Sequence, residues 1–305
     1  MNDSSFSLVT TEDIDLITHY LKKAKYQESN HNIINMFLWQ DMFPLFKFVD
    51  KNFMLIMSKH NDTHFLFMPL CDKEFVKEGL LKGQELFQQM NLDFVLSVTT
   101  KEVKDTALQL FDNLQVCTAR DGYDYVYTRE SIVTLSGKKL QKRRNLLNKF
   151  KKEYEDRVFL APIHTVVPEV LQFFSDYLEE TDDDYLIHER NGIVNLLGHI
   201  EIFDYQGAAL FVDNQVKGFI ITSLVDDTMV QINIEKADKT IPGIYQYLES
   251  EYFKMFYNEI QYINKEDDMG RLNLRKAKLA SKPIKLIKKY RLCQGVCDDN
   301  QSQCE

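Results

Sequence analysis

Two stretches of this chain carry the same succession of elements, and a duplicated succession leaves few folds open. In the first, a helical pattern over residues 12–23 places Ile14, Ile17 and Leu21 on one side, and a second apolar stretch covers 33–42. Three short strand-like runs follow, 45–49, 53–57 and 64–68, parted at Asp50-Lys51 and Asn61-Asp62 as hairpin turns would part them. Helix 73–90, strand 94–98, helix 101–111 and strand 123–127 complete the set. The second stretch repeats it: helices 166–180 and 187–202, then a meander of 208–212, 218–224 and 229–234 turned at Asp213-Asn214 and Asp226-Asp227. Helix 243–256, strand 260–263, helix 272–280 and strand 284–290 follow. The fold class this implies is α+β, in two tandem domains. Each would hold a mixed, mainly antiparallel sheet flanked by helices.

The length agrees, since 305 residues are many for one core. No apolar run is long enough to span a bilayer, and the first residues lack the basic and apolar regions of a signal peptide, so a cytoplasmic protein is expected. Five cysteines suit a reducing compartment. Cys293, Cys297 and Cys304 crowd the end of the chain at spacings that match no usual zinc site, and an unstructured tail with free thiols is expected there.

The net charge of -9 conceals two basic runs. Eight Lys and Arg and no acid fall within 138–152, and nine with no acid within 271–291. An acidic chain that gathers its positive charge in this way has the means to hold an anion. The alternative is that each run is a solvated helix face.

Three places could carry chemistry. In the run Val230 to Lys236, period two puts Gln231, Asn233 and Glu235 on one face and Ile232 and Ile234 on the other, so the polar set is expected either to face a wet cleft where a carboxylate can act as base or bind an amine, or to bond structural groups beneath a covering helix. The following turn, with Pro242 and Gly243 opening a helix, could offer backbone N–H groups to a phosphate, although Tyr245 stands where a second glycine would help. Packing alone is the other reading of Gly243. The third place is the cluster Glu266, Asp267 and Asp268 beside Gly270 and Arg271. Crowded carboxylates there could raise one another's pKa or clamp an amine, or Asp268 or Asp267 could cap a helix starting at Gly270, with Arg271 and Arg275 in reach.

The succession of elements resembles the Gcn5-related N-acetyltransferase fold, and four segments resemble one family in detail. They are Asn32-Ile-Ile-Asn-Met-Phe-Leu-Trp39; Tyr123-Asp-Tyr-Val-Tyr127 running to Gly137-Lys-Lys-Leu-Gln-Lys-Arg-Arg-Asn145; Ile234-Glu-Lys-Ala-Asp238 with Gly243; and Tyr262-Ile-Asn-Lys-Glu-Asp-Asp268 with Leu274-Arg-Lys-Ala-Lys278 and Lys282-Pro283. They resemble the family related to the C-terminal domain of phosphatidylglycerol lysyltransferases. The resemblance implies tandem acyl-CoA N-acyltransferase-like domains: 1–135, a basic connecting helix 136–156, a site-bearing domain 157–292 and a tail 293–305.

It further implies an acyl or aminoacyl transferase, with aminoacyl-tRNA or a CoA thioester as co-substrate, no tightly bound cofactor, and an amine or hydroxyl acceptor. Peripheral contact with anionic lipid is consistent with the basic segments. Glu235, Glu266 and Asp268 become the expected catalytic residues. Lys236, Gly243, Asn264, Arg271, Arg275, Lys276, Lys142, Arg143, Arg144 and Asn145 become the expected substrate and anion contacts. A protein that binds RNA on the same fold without catalysis is the competing expectation.

Overall fold

The computed structural model describes residues 5–177, 183–294 and 303–304, in two compact units. The first comprises 1–123 with 287–305, the second 124–286.

In the first unit the chain runs β1 (Ser7–Leu8), α1 (Ile14–Ala24), α2 (Ile33–Leu38), β2 (Leu45–Val49), β3 (Phe53–His60), β4 (Thr63–Leu66), β5 (Leu70–Cys71), α3 (Val76–Gln89), β6 (Val95–Thr99), α4 (Lys101–Leu110) and β7 (Leu114–Thr118). Side-chain caps start two helices where the sequence offers them: Asn32 accepts from the N–H groups of Ile34 and Asn35, and Thr100 from Val103. Phe53, Leu55, Leu66, Leu80, Phe87, Phe94 and Leu96 form the buried centre between the sheet and α3 and α4.

In the second unit come β8 (Asp124–Thr128), α5 (Arg129–Thr134), α6 (Gln141–Tyr154), β9 (Val158–Pro162), α7 (Val167–Tyr177), α8 (Asp184–Gly198), β10 (Gln206–Val212), β11 (Gln215–Leu224), β12 (Met229–Ala237), α9 (Ile244–Phe256), β13 (Tyr262–Asn264), α10 (Leu272–Ala280) and β14 (Lys285–Ile287). The strand order is β14-β8-β13-β12-β11-β10-β9. Helix α9 covers one face, packing Leu248, Tyr252 and Phe253 on Leu210, Ile220, Val230 and Ile232. Thr222 Oγ1 lies 2.7 Å from Tyr252 Oη and 2.8 Å from Tyr257 Oη, so these three hydroxyls under the helix are paired. Helix α7 lies on β11, where the Phe173 and Phe174 rings meet Phe219 edge-on.

The final strands, β15 (Tyr290–Gln294) and β16 (Gln303–Cys304), return to the first sheet, whose order is β1-β2-β3-β4-β6-β15-β7-β16. Three expectations are corrected here. Strand 123–127 does not close the first unit: β8 pairs antiparallel with β13 of the second sheet. Strand 284–290 divides into β14, beside β8, and the start of β15, which pairs with β6 and β7. The boundary therefore falls at 123/124, because each sheet takes its fill of hydrogen bonds from a strand distant in sequence.

The basic helix is no connector. It belongs to the second unit, where Phe150 is fully buried and its ring lies 4.7 Å from that of Tyr247 on α9. Nor does a tail begin at 293, since Cys293 is buried in β15 and Cys304 pairs with Cys117 across β16 and β7. Cys297 lies outside the described residues. No helix among the described residues is long and apolar enough to cross a membrane.

Candidate functional site

The second sheet forks. Strands β12 and β13 pair in parallel only through Met229–Tyr262, Val230–Ile263 and Gln231–Asn264. Past that point β12 runs on to Ala237, while Lys265 and Glu266 stay with β8: the Lys265 N–H donates to Tyr125 O at 2.9 Å and the Tyr125 N–H to Glu266 O at 3.1 Å. Side chains bridge the fork on both faces of the sheet.

A β-bulge decides which residues face which way. Ile221 pairs with Ile234 and Thr222 with Ile232, so Asn233 is an extra residue on β12, its Oδ1 accepting from Ser223 Oγ at 2.7 Å. The extra residue reverses the alternation beyond it. Glu235 thus shares the α9 face with Ile232, and Lys236 faces the other way, its Nζ 2.8 Å from Glu189 on α8. The common face expected for Gln231, Asn233 and Glu235 does not form.

On the α9 face, four charged side chains close together. Lys265 Nζ lies 2.7 Å from Glu249 Oε1 and 3.4 Å from Glu235 Oε2, and Arg143 of α6 approaches Glu249 at 3.6 Å. Burial, and after it repulsion from Glu249, pushes the Glu235 carboxyl up to about 7. For Glu249 burial acts in the same sense, but Lys265 and Arg143 outweigh it and hold the group below its ordinary value. Lys265 is raised, because the two carboxylates overcome the burial that would lower it. Charge is therefore held on Lys265 and Glu249, while Glu235 exchanges its proton near neutrality.

On the opposite face Gln231 donates from Nε2 to Glu266 Oε1 at 2.7 Å. Glu266 is half-buried with a φ of +58°, a left-handed conformation held by the Asn264 side chain, which accepts from the Glu266 N–H at 2.8 Å. Burial pushes its carboxyl up to about 8, against the pull of the Lys278 ammonium and the Gln231 bond. Lys278 itself is lowered by burial and donates to the carbonyls of Lys265 and Asp267.

A cleft of about 1120 Å³ opens on the Lys236 face between α7, α8 and the sheet. Phe173 and Phe211 give it an aromatic wall, and Glu169, Arg190, Lys217 and Lys236 give it both signs of charge. Arg271, expected as a substrate contact, ties this side together through Asp183 at 2.7 Å, the residue that caps α8.

The remaining expected residues divide clearly. Asp268 is fully buried and accepts from Arg275 at 2.6 and 2.8 Å, from Tyr125 Oη at 2.5 Å and from the Gly270 N–H at 3.0 Å. Those bonds outweigh burial and hold its carboxyl below the ordinary range, so it shapes a turn and has no proton to give near neutrality. Asn264 reaches Asp124 at 3.3 Å. Arg144 donates to the carbonyls of Leu135 and Gly137, whereas Lys142, Asn145 and Lys276 point outward.

The Gly243 turn is closed. Gly243 caps α9 with a φ of +89°, and a Cβ there would lie 2.2 Å from the Leu146 carbonyl oxygen of α6. Tyr245 Oη accepts from the Ala237 N–H at 3.2 Å and meets the Ala237 carbonyl at 3.1 Å. The Cα side of the turn is thus packed on α6, and the Ala237 N–H before it is taken by the Tyr245 phenol.

Glu249, Lys265 and Lys278 were not among the expected site residues. An acid one residue after Leu248, inside the buried stripe of α9, was the available signal for Glu249.

The two raised carboxyls have a measurable consequence. Between the ordinary value of 4.5 and about 8, the folded chain keeps a proton on Glu266 that the unfolded chain has released. Stability must then fall as pH rises through that window. Melting temperatures from about pH 5 to about pH 9 should decline more gently in Glu266→Gln than in the native chain. Parallel declines would show that Glu266 does not titrate there.

Comparison with known proteins agrees with this architecture. Residues 22–293 match the family described as phosphatidylglycerol lysyltransferase, C-terminal. An uncharacterised protein of Mycoplasmoides gallisepticum is 29% identical over 176 residues, which is 57% of this chain and 56% of that one, so the match spans about half of each. A conserved protein of unknown function from Bacteroides thetaiotaomicron is 25% identical, with a TM-score of 0.87 over 94% of this chain and 98% of its own. The L-PGS of Bacillus licheniformis is 14% identical with a TM-score of 0.67, covering 93% of each chain, a likeness of fold. A tandem GNAT protein of the clavulanic acid biosynthesis pathway, 7% identical, shares the fold with a TM-score of 0.51 over 96% of this chain and 99% of its own, in agreement with the tandem Gcn5-related fold expected from the order of elements.

Proposed function

The chain belongs to the phosphatidylglycerol lysyltransferase C-terminal family, a transferase family, and from that premise we propose that it moves an aminoacyl group from aminoacyl-tRNA to an amine or hydroxyl acceptor. The observation that supports the choice of donor is the crowding at the Gly243 turn: its Cα packs on the Leu146 carbonyl of α6, and the Ala237 N–H before it already bonds Tyr245 Oη, where a CoA thioester would bring its pyrophosphate.

In this reading the acceptor reaches the fork between β12 and β13, where Glu266, which does not line the cleft beside Lys236, is the general base. The acceptor N–H or O–H attacks the ester carbonyl carbon of the donor. A C–N or C–O bond forms, the ester bond to the ribose oxygen breaks, and the proton taken by Glu266 is returned to that oxygen. Gln231 donates to the carboxylate, and Asn264 fixes the backbone that carries it by accepting from the Glu266 N–H. Glu235, on the other face, positions the fork through Lys265 and Glu249.

Melting curves with acetyl-CoA, free CoA, charged tRNA and uncharged tRNA test the donor, since a ligand bound only by the folded chain raises the melting temperature. The expected result is stabilisation by charged tRNA beyond that by uncharged tRNA, and none by either CoA species. Stabilisation by CoA would overturn the donor. Equal response to both tRNA forms would favour an RNA-binding protein without transfer.

A further inference from the structure

The cleft beside Lys236 is not used by the chemistry of the fork, since Glu266 stands outside its lining. Its charges are sorted by element. Helix α7 gives it Glu169, Phe173 and Asp176, at the i, i+4, i+7 spacing of one helix face, and no cation. The cations come from elsewhere: Arg190 from α8, Lys217 from β11 and Lys236 from β12. Some of these charges are already satisfied. Lys236 is held by Glu189 at 2.8 Å, and Asp238 accepts from the Thr240 N–H and hydroxyl at 2.9 and 2.6 Å. Among the described residues, the side chains of Glu169, Arg190 and Lys217 have no partner, and Asp176 accepts from the neutral Gln172 at 2.9 Å. Two fixed rings complete the lining. Phe211 is stacked on Phe159 at 4.8 Å, and Phe173 meets Phe219 edge-on at 6.3 Å.

These features select a ligand by elimination. A nucleic acid would bring phosphates against Glu169 and Asp176. A polyamine would leave Arg190 and Lys217 half-buried and unpaired. A zwitterion with an apolar side chain meets both sets of charges and covers the rings. At about 1120 Å³ the cleft has the size that encloses drug-sized ligands, so a single amino acid would leave most of it to water.

We propose that this cleft binds a short peptide with free termini, its ammonium group at Glu169 and Asp176, its carboxylate at Arg190 and Lys217, and an apolar side chain against Phe173 and Phe211. The proposal is independent of the transfer chemistry, and its test contains no acyl donor. Titration calorimetry of the whole chain with the peptides Ala-Phe, Ala-Phe-Ala and Ala-Phe-Ala-Ala reads it directly. Binding of at least one is expected at millimolar concentration or below, and an all-alanine peptide of the same length should bind less tightly. N-acetylation and C-amidation of the best binder should each weaken it by about tenfold or more, because each removes a hydrogen bond to a charged group.

Substitutions assign the two ends. Arg190→Gln with Lys217→Gln should weaken the free peptide by about tenfold and leave the amidated one unchanged. Glu169→Gln with Asp176→Asn should act likewise on the free peptide and spare the acetylated one. None of the four side chains is paired with an opposite charge among the described residues, so melting temperatures should not move, and a melting curve for each variant checks this. Where a variant melts early, the blocked peptides on the native chain still decide the matter. The proposal is overturned if no peptide binds, if a blocked peptide binds as tightly as the free one, or if the variants bind as the native chain does.

Discussion

Glu266→Gln is expected to slow transfer by about 10²–10⁴-fold, the usual contribution of a general base, with little change in acceptor KM. The substitution preserves shape and can keep a hydrogen bond with Gln231 at the 2.7 Å site, but it cannot accept the acceptor's proton. The pH profile gives a second reading. A base pushed up to about 8 is mostly protonated at neutrality, so the native rate should rise with pH and level off above about 8. The variant's residual rate should lack that rise. Glu235→Gln provides the contrast, since its carboxyl lies on the other face, against Lys265 and Glu249, and acts through the fork. A smaller loss there, without removal of the rise in rate, is expected. If Glu235→Gln removes the rise and Glu266→Gln does not, the roles are reversed.

The second large effect falls on stability. Gly243→Ala should cost roughly 2–5 kcal/mol, combining the left-handed backbone penalty with overpacking. A Cβ at 2.2 Å from a backbone oxygen cannot be accommodated by rotating a side chain, so α6 must move off α9 and disturb Phe150 and Tyr247. Gly122→Ala is the control, because nothing lies within 4 Å of a Cβ there. Calorimetric melting of both variants decides the matter. A neutral Gly243→Ala would mean that the turn is not pressed against α6, and the exclusion of CoA would lose its support.

The succession of elements could be read from the sequence because hydrophobic period and turn residues are local. The strand at 45–49 and the helix start after Thr100 are recovered closely. The destination of strands was not legible. Nothing local in Asp124–Thr128 or Tyr290–Gln294 says which sheet will take them, since pairing is settled by partners more than a hundred residues away. The bulge at Asn233 was equally silent, for it inserts no glycine and breaks no pattern, yet it sends Glu235 to the opposite face from the one its parity indicated. The basic runs misled for a related reason. Charge counts cannot distinguish Lys276, in water, from Lys289, which is buried and bonds Ser29 and Asn30 within the first unit.

The exchanged strands also set an order of completion during synthesis. Every strand of the second sheet lies within one continuous stretch, from Asp124 to Ile287, and is available once that stretch has left the ribosome. The first sheet has to wait. Among the described residues its β6 and β7 do not pair with each other and are joined through β15, which follows the whole of the second sheet in the chain. Most of the first sheet is therefore translated before the second yet completed after it, and the facing edges of β6 and β7 need shelter until β15 arrives.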